Sequence, residues 1–499
     1  MRIRALVLFA ATAGAAWSQQ LPKQTAADLI HSALAAMGGE QKLRELKTLH
    51  LKTVGHRNLL EQSERPEGPY IIDYEQTDEW RDLERGNWRR EVHRRNAVEE
   101  DTSTVLVADG VAAQKSGDHE MPGSGQELQE ADDALTMGPE RVLLNALAAE
   151  NLKRLPDLML QGVPHHVIEF SRAGTPVRIY LNAETHLPTA VEWVTAYPYG
   201  MFWSIWGDVS TRVYYSLWWL QEGLHYPLQT DTFRNGMLDR SAAIVKLEFN
   251  QPVKPGDFTI SPSTREAFAA RGLVTADDRP LGGSSRPVQE PAPGIVILPG
   301  AWNTTIIRQP DGIVILEAPI SSGYSSKVLA EAKRRFPNVA VKAVITTSDA
   351  WPHIGGLREY VARGIPVYVL DRTEPLIHRL LNAPRNRHPD AFATSARRPI
   401  FHLVSRRVDL GTGSNRMEIF PLHGEFSERQ MMVYFPEHKL LYGSDAFQKL
   451  PDGQYFIPQT VSEVADAVQR EHLEVKNFFM MHMGVTTWQE VLSTLRNPE

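Results

Sequence analysis

The residues best suited to chemistry lie in one stretch, Ala343 to Ala362, which reads AVITTSDAWPHIGGLREYVA. It has the pattern of a buried apolar strand, a sharp loop carrying Ser348, Asp349 and His353, and a helix opened by Gly355 and Gly356. Rigid elements on both sides hold the polar side chains of such a loop in place, which is where α/β proteins usually concentrate their chemistry. A histidine and a carboxylate there suit metal ligation and general-base work. An architectural reading also accounts for the loop: Ser348 or Asp349 turns the chain, Pro352 fits the first turn of a helix, and the two glycines permit close strand-helix packing.

Other candidates are weaker. Ser321 to Ser326 sits where a strand meets a helix and has the composition of an anion site, but no lysine follows in a phosphate-loop pattern, so helix capping is preferred. The basic run Arg385 to His388, with Arg397, Arg398, Arg406 and Arg407, reads as a solvated face. His378, His402 and His438 have no partner at ligand spacing, and His165 and His166 point to opposite faces of one strand.

The elements that must position the loop belong to a chain of 499 residues, too long for a single core. Hydrophobic content of 42% and charged content of 23% are those of an ordinary globular protein, and a net charge of −7 gives no reason to expect nucleic acid. There is no cysteine, hence no disulfide, thiolate ligand or thiol nucleophile. Residues 1–18, with Arg2 and Arg4 ahead of an apolar run, read as a secretory signal cut after Ser18. The expected location is periplasmic or secreted, and the run is too short to span a bilayer, leaving no transmembrane segment after cleavage.

Residues 22–262 open with a helix ending at Met37-Gly38-Gly39 and continue mostly as alternating strands, interrupted by a helix predicted over Pro139 to Leu155. Consecutive strands without crossover helices imply an antiparallel sheet. An aromatic concentration between Trp193 and Trp219 includes Trp203, Trp206, Tyr215 and Trp218. It either fills the concave side of the sheet, the preferred reading, or lines a groove for an apolar ligand. Residues 263–293, rich in Pro, Gly and Ser, read as a linker. From Gly294 to residue 499, strands alternate with helices, the pattern of a layered sandwich.

Residues 294–499 resemble the metallo-β-lactamase fold on four segments taken in order. These are Asp311 to Glu317, Thr346 to Gly356, Val433 to Asp445 with its Gly443-Ser444-Asp445 end, and Met481-His482-Met483-Gly484. The first part is similar, less specifically, to periplasmic lipoprotein-carrier-like half-barrels, through its opening helix and the run Arg178 to Pro188. The fold implied is α+β with two domains: an antiparallel β half-barrel with helices, then an αββα metallo-β-lactamase-like sandwich. The second resemblance implies a metal site, and the chain departs from the family's pattern there. The loop reads Ser348, Asp349, Ala350, Trp351, Pro352, His353, so the leading histidines are absent, and His423 falls three residues before the expected position.

What the resemblance leaves is a reduced site in which His353, Asp445 and His482 hold one zinc ion, with His423 as a further candidate ligand and Asp349 or Glu425 as general base. The function implied is hydrolysis of an ester, amide or thioester in a small molecule. The alternative is a non-catalytic periplasmic binding protein with a vestigial metal site and an apolar ligand at the aromatic cluster. Whether the chain is an enzyme turns on whether His353, Asp445 and His482 meet.

Overall fold

The computed structural model describes residues 24–60, 67–96, 99–254, 256–282, 286–449, 455–456 and 459–496. The signal-peptide expectation, residues 1–18, lies outside them. The opening helix Ala26–Ala36 is fixed at its start by a capping box between Thr25 and Asp28, and it buries Leu29, Ile30, Ala33 and Leu34. Gly38, at φ +115°, passes so close to the backbone of Gly223 and Leu224 that a side chain there would collide with it.

The strands that follow form one thirteen-stranded antiparallel sheet. Strands one to six run outward as consecutive hairpins, seven to thirteen do the same, and the halves join where Thr48–Leu59 pairs with Met237–Phe249. The predicted helix from Pro139 ends at Ala148, earlier than expected. Residues Lys153–Leu160 instead form the edge strand, in which Leu155 pairs with Val167, so sheet pairing overrides local helix preference. A helix not anticipated, Gly125–Thr136, is capped by Ser124 and Glu127.

From Gln289 onward the chain builds two further large sheets and a two-stranded ribbon of Gln448–Lys449 with Tyr455–Phe456. In the first, of seven strands, Gly312–Leu316, Val341–Ile345, Val367–Leu370 and Phe401–Val404 lie parallel. Both faces of Gly312–Leu316 and Val367–Leu370 are covered, which explains their unbroken apolar runs, whereas Phe401–Val404 at the sheet edge leaves His402 and Leu403 exposed. Val314, Leu316, Ala343 and Ile345 face Met417, Ile419, Met431 and Val433 of the second, six-stranded sheet. Ile313, Ile315 and Val344 face the other way, onto helices Ser322–Arg335 and Leu357–Ala362. The outer face of the second sheet packs Phe420, Leu441 and Phe478 against helices Gln459–Arg470 and Trp488–Arg496. The layers are therefore helix, sheet, sheet, helix.

The two regions share a core in which Tyr197, Trp203, Ile205 and Trp206 pack with Ile320, Ile354 and Leu357. Asp208 fastens the contact by accepting from the backbone of Asn386 at 2.8 Å and Arg387 at 3.2 Å. The stretch read as a linker is pinned at several points: Asp277 accepts from Gly323 N at 2.7 Å, and Lys327 donates to the carbonyls of Asp277 and Arg279. Its end, Gln289–Ala292, is a strand of the first sandwich sheet. Among the described residues, no helix is long and apolar enough to cross a membrane.

Candidate functional site

Four chain segments converge at the carboxyl ends of parallel strands in both sandwich sheets, the usual location of sites in layered α/β proteins. Strand Gly312–Leu316 hands on Glu317, which takes a left-handed conformation at φ +74°. Strand Val341–Ile345 leads into the loop and the short helix Trp351–Ile354, which carries His353. Strand Leu440–Tyr442 leads to Ser444, also left-handed at φ +59°, and Asp445. The fourth segment, beyond Asn477–Phe479, carries His482 and is held by the buried Asn303, whose amide donates to the carbonyls of Met480 at 2.9 Å and Met483 at 3.0 Å. Two non-glycine residues with positive φ at one site are a local strain that the surrounding packing must support.

The glycine pair sets the depth of the loop. A Cβ on Gly355 would lie 2.7 Å from the Ile320 carbonyl, and one on Gly356 would run into Ser325 Oγ and the Ser321 carbonyl. Only glycine allows this helix to seat so closely, and His353 is consequently fully buried.

His353, Asp445 and His482 meet as an alternating chain of imidazole and carboxylate. His353 Nδ1 lies 2.8 Å from Glu317 Oε2, its Nε2 is 3.8 Å from Asp445 Oδ2, and Asp445 Oδ1 is 3.0 Å from His482 Nε2. His482 Nδ1 contacts the Ala301 carbonyl at 3.2 Å. Each ring thus uses Nδ1 on an acceptor outside the cluster and turns Nε2 toward Asp445. Glu317, fully buried, also accepts from Tyr442 OH at 2.9 Å and from Thr347 Oγ1, which in turn pairs with Ser444 Oγ at 2.7 Å.

Electrostatics follow from this arrangement. Burial works against a charged His353, but the carboxylates of Glu317 and Asp445 outweigh it and push its pKa up to about 10. Burial also opposes ionisation of Asp445, yet the nearby His353 ring and the hydrogen bond from His482 hold its carboxyl well below the ordinary range. Tyr442 is pushed far up, first by burial and then by the Glu317 charge.

Of the remaining expected residues, Asp349 shares the buried loop but is engaged by Arg429, whose Nε is 2.9 Å from its Oδ2. Burial raises the Asp349 carboxyl and Arg429 opposes the rise. His423 is exposed and its charged neighbours are Arg470, Arg372, Glu471 and Asp371, so it stands apart from the cluster. Glu425 is exposed on a loop tied to Glu463 through Phe426 N at 2.9 Å. Trp351 stacks edge-on against Trp302 at 4.7 Å, beside His482. Glu317, Thr347, Tyr442 and Ser444 were not anticipated as site residues, and their only sequence signal is position at or just beyond a strand end.

The donor chemistry of two imidazoles and a carboxylate fits a divalent cation, and the buried His353 Nε2 has no hydrogen-bond partner. The acceptors on both Nδ1 atoms are the kind that orient metal-binding histidines. The spacing is that of a direct ion-pair chain, 3.8 Å from His353 to Asp445 and 3.0 Å from Asp445 to His482, and among the described residues no group of three or more His, Asp or Glu side chains is spaced around a common ion position.

Fold and cluster together define a helix-sheet-sheet-helix sandwich with a His-Asp-His group at its strand ends. No protein-family model matches the chain, and no curated protein matches it in sequence. Among solved structures it is similar to the DIM-1 metallo-β-lactamase, at 14% identity and a TM-score of 0.33, over 42% of this chain and 94% of that one. It is likewise similar to a metallo-β-lactamase from Pontibacter korlensis, at 16% identity and 0.34, over 42% and 99%. A third is the sec-alkylsulfatase Pisa1 from Pseudomonas sp., at 15% identity and 0.33, over 42% and 40%.

Proposed function

We propose that the second region is a hydrolase domain of the metallo-β-lactamase type, reduced to a single metal site in which His353, Asp445 and His482 hold one zinc ion. The observation that carries this reading is the orientation of the two histidines, each tied at Nδ1 and facing Asp445 with Nε2. When bound, the ion supplies Lewis acidity and a water of lowered pKa. Glu317 holds the ring plane of His353, and the Ala301 carbonyl does the same for His482. Of the two expected bases, Asp349 lies in the His353 loop while Glu425 is exposed elsewhere, so Asp349 is the proton acceptor retained, orientated by Arg429. The substrate class is a small molecule with an ester, amide or thioester carbonyl. Export is part of the same reading and rests on residues 1–18; N-terminal sequencing of the mature protein is expected to begin after Ser18.

The test is elemental analysis of protein purified without chelator, for the parent chain and for His353→Ala combined with His482→Ala. Stoichiometric zinc that disappears in the double variant is expected. Absence of stoichiometric metal, or metal indifferent to the substitutions, refutes the reading. It would leave the second one, a non-catalytic binding protein, which the direct approach of His353 to Asp445 favours.

A further inference from the structure

A cleft of about 810 Å³, open to one side, runs along the first region and is within the range of small-molecule sites. Its walls come from the long antiparallel sheet and the helix Gly125–Thr136, and one further wall is Trp351 from the loop that carries His353. Part of the lining is aromatic, as the sequence suggested, through Trp193, Trp203 and Trp351. The rest mixes apolar side chains such as Val92, Met137 and Ile244 with charges of both signs: Arg90, Arg94, Arg234 and Arg240 line it together with carboxylates that include Glu79 and Glu127.

The carboxylates facing these arginines are already committed. Glu130 pairs with Arg90 at 3.1 Å, Asp101 with Arg94 at 3.5 Å, Asp239 with Arg234 at 3.6 Å and Glu75 with Arg240 at 3.2 Å. A guanidinium has five N–H donors, and these pairs leave donors unused. Among the described residues, the buried side-chain atoms on this lining that lack a hydrogen bond are the Nε atoms of those four arginines and Nε1 of Trp193; the Nε atoms of Arg94, Arg234 and Arg240 are the ones that meet the paired carboxylates at 3.2–3.6 Å, so Arg90 Nε and Trp193 Nε1 lack both kinds of contact. All five are donors and none is an acceptor. Arg90, Arg234 and Arg240 also converge: against burial, all three act to hold the Glu130 carboxyl low. Asp133, on the same wall and with no ion pair among the described residues, is kept up to about 7, mainly by burial, and so only partly opposes an anion near neutral pH. A surplus of donors beside aromatic faces is complementary to an acceptor-rich group on an apolar body.

We propose that this cleft binds an amphiphilic oxyanion, a small molecule whose carboxylate, sulfate or phosphate is taken by Arg90, Arg234 and Arg240 and whose apolar body lies on Trp193, Trp203 and Trp351. The occupant is then in contact with the His353 loop through Trp351, although the site does not depend on any metal. Two naphthylamine dyes sharing one aromatic body separate charge from apolarity: 8-anilinonaphthalene-1-sulfonate and the neutral N-phenyl-1-naphthylamine. Fluorescence titration is expected to give saturable binding of the sulfonate, with the neutral dye at least about 10-fold weaker. Arg234→Gln with Arg240→Gln should weaken the sulfonate by at least about 10-fold and leave the neutral dye unchanged. Should that variant fail to fold, competition on the parent protein decides: dodecanoate displaces the sulfonate and dodecanol does not. Equal binding of the two dyes, equal competition by the alcohol, or full sulfonate affinity in the folded double variant overturns the proposal.

Discussion

Replacing Glu317 with glutamine removes one charge from the centre of the cluster with almost no change in shape. The carboxylate accepts from His353 Nδ1 at 2.8 Å, from Tyr442 OH at 2.9 Å and from Thr347 Oγ1, all fully buried or nearly so. A glutamine has one acceptor oxygen, so its amide nitrogen must face a group that was donating to Glu317. Removing one member of a buried ion pair costs about 3–5 kcal/mol. The span from the ordinary histidine value of 6.5 to about 10 for His353 gives an independent ceiling of about 5 kcal/mol, at about 1.36 kcal/mol per unit.

Because the histidine pKa is raised on folding, its contribution is fully present below about 6.5 and is lost as pH rises through about 10. Urea unfolding in chelator, at pH 7 and above pH 10, should be run on the parent, Glu317→Gln, His353→Gln and the double variant. At pH 7 the single change should cost about 3–5 kcal/mol, with a coupling of about 2–4 kcal/mol between the two positions. The coupling should shrink above pH 10. A cost below about 1 kcal/mol, or a coupling below about 0.5 kcal/mol at pH 7, refutes the charged-pair reasoning.

Three further outcomes are expected. Asp133→Asn should stabilise the protein by about 1–3 kcal/mol at pH 8 and by nothing at pH 3, because a carboxyl raised from 3.8 to about 7 contributes stability below its ordinary value that is lost as pH rises through the folded one; thermal midpoints across pH measure it. Gly356→Ala should cost about 1–3 kcal/mol by overpacking against Ser325 and Ser321, and Ser325→Gly in the same chain should recover part of that cost in urea unfolding. Asp208→Ala removes the acceptor for Asn386 N and Arg387 N, so limited proteolysis between residues 382 and 398 should accelerate while the rest of the digest pattern stays unchanged.

The sandwich strands were legible because burial on both faces leaves an unbroken apolar run. Ile295–Leu298, Val367–Leu370 and Met431–Phe435 are such runs. Helix Gly125–Thr136 carried its capping signature at Ser124 and Glu127, but its mostly polar residues mask the apolar period. The aromatic cluster is contiguous in sequence and divided in space: Trp193 and Tyr215 belong to the first region's core, Trp203 and Trp206 to the core shared by both regions, and Trp219 is exposed. A strand's alternation sends neighbours to opposite faces, so one run of aromatics cannot be one surface.

By itself, then, the sequence determined the layered architecture of the second region, the antiparallel character of the first, and the types of side chain available for chemistry, since these follow from hydrophobic period and residue identity. Only the tertiary structure decided which of those side chains meet. His353, Asp445 and His482 come together because two sets of parallel strands end side by side, whereas His423 and Glu425 ride on a loop that turns away. Glu317 joins them through a positive φ that a glutamate does not announce, and the arginines of the cleft become a surplus of donors only once their carboxylate partners have been assigned in space.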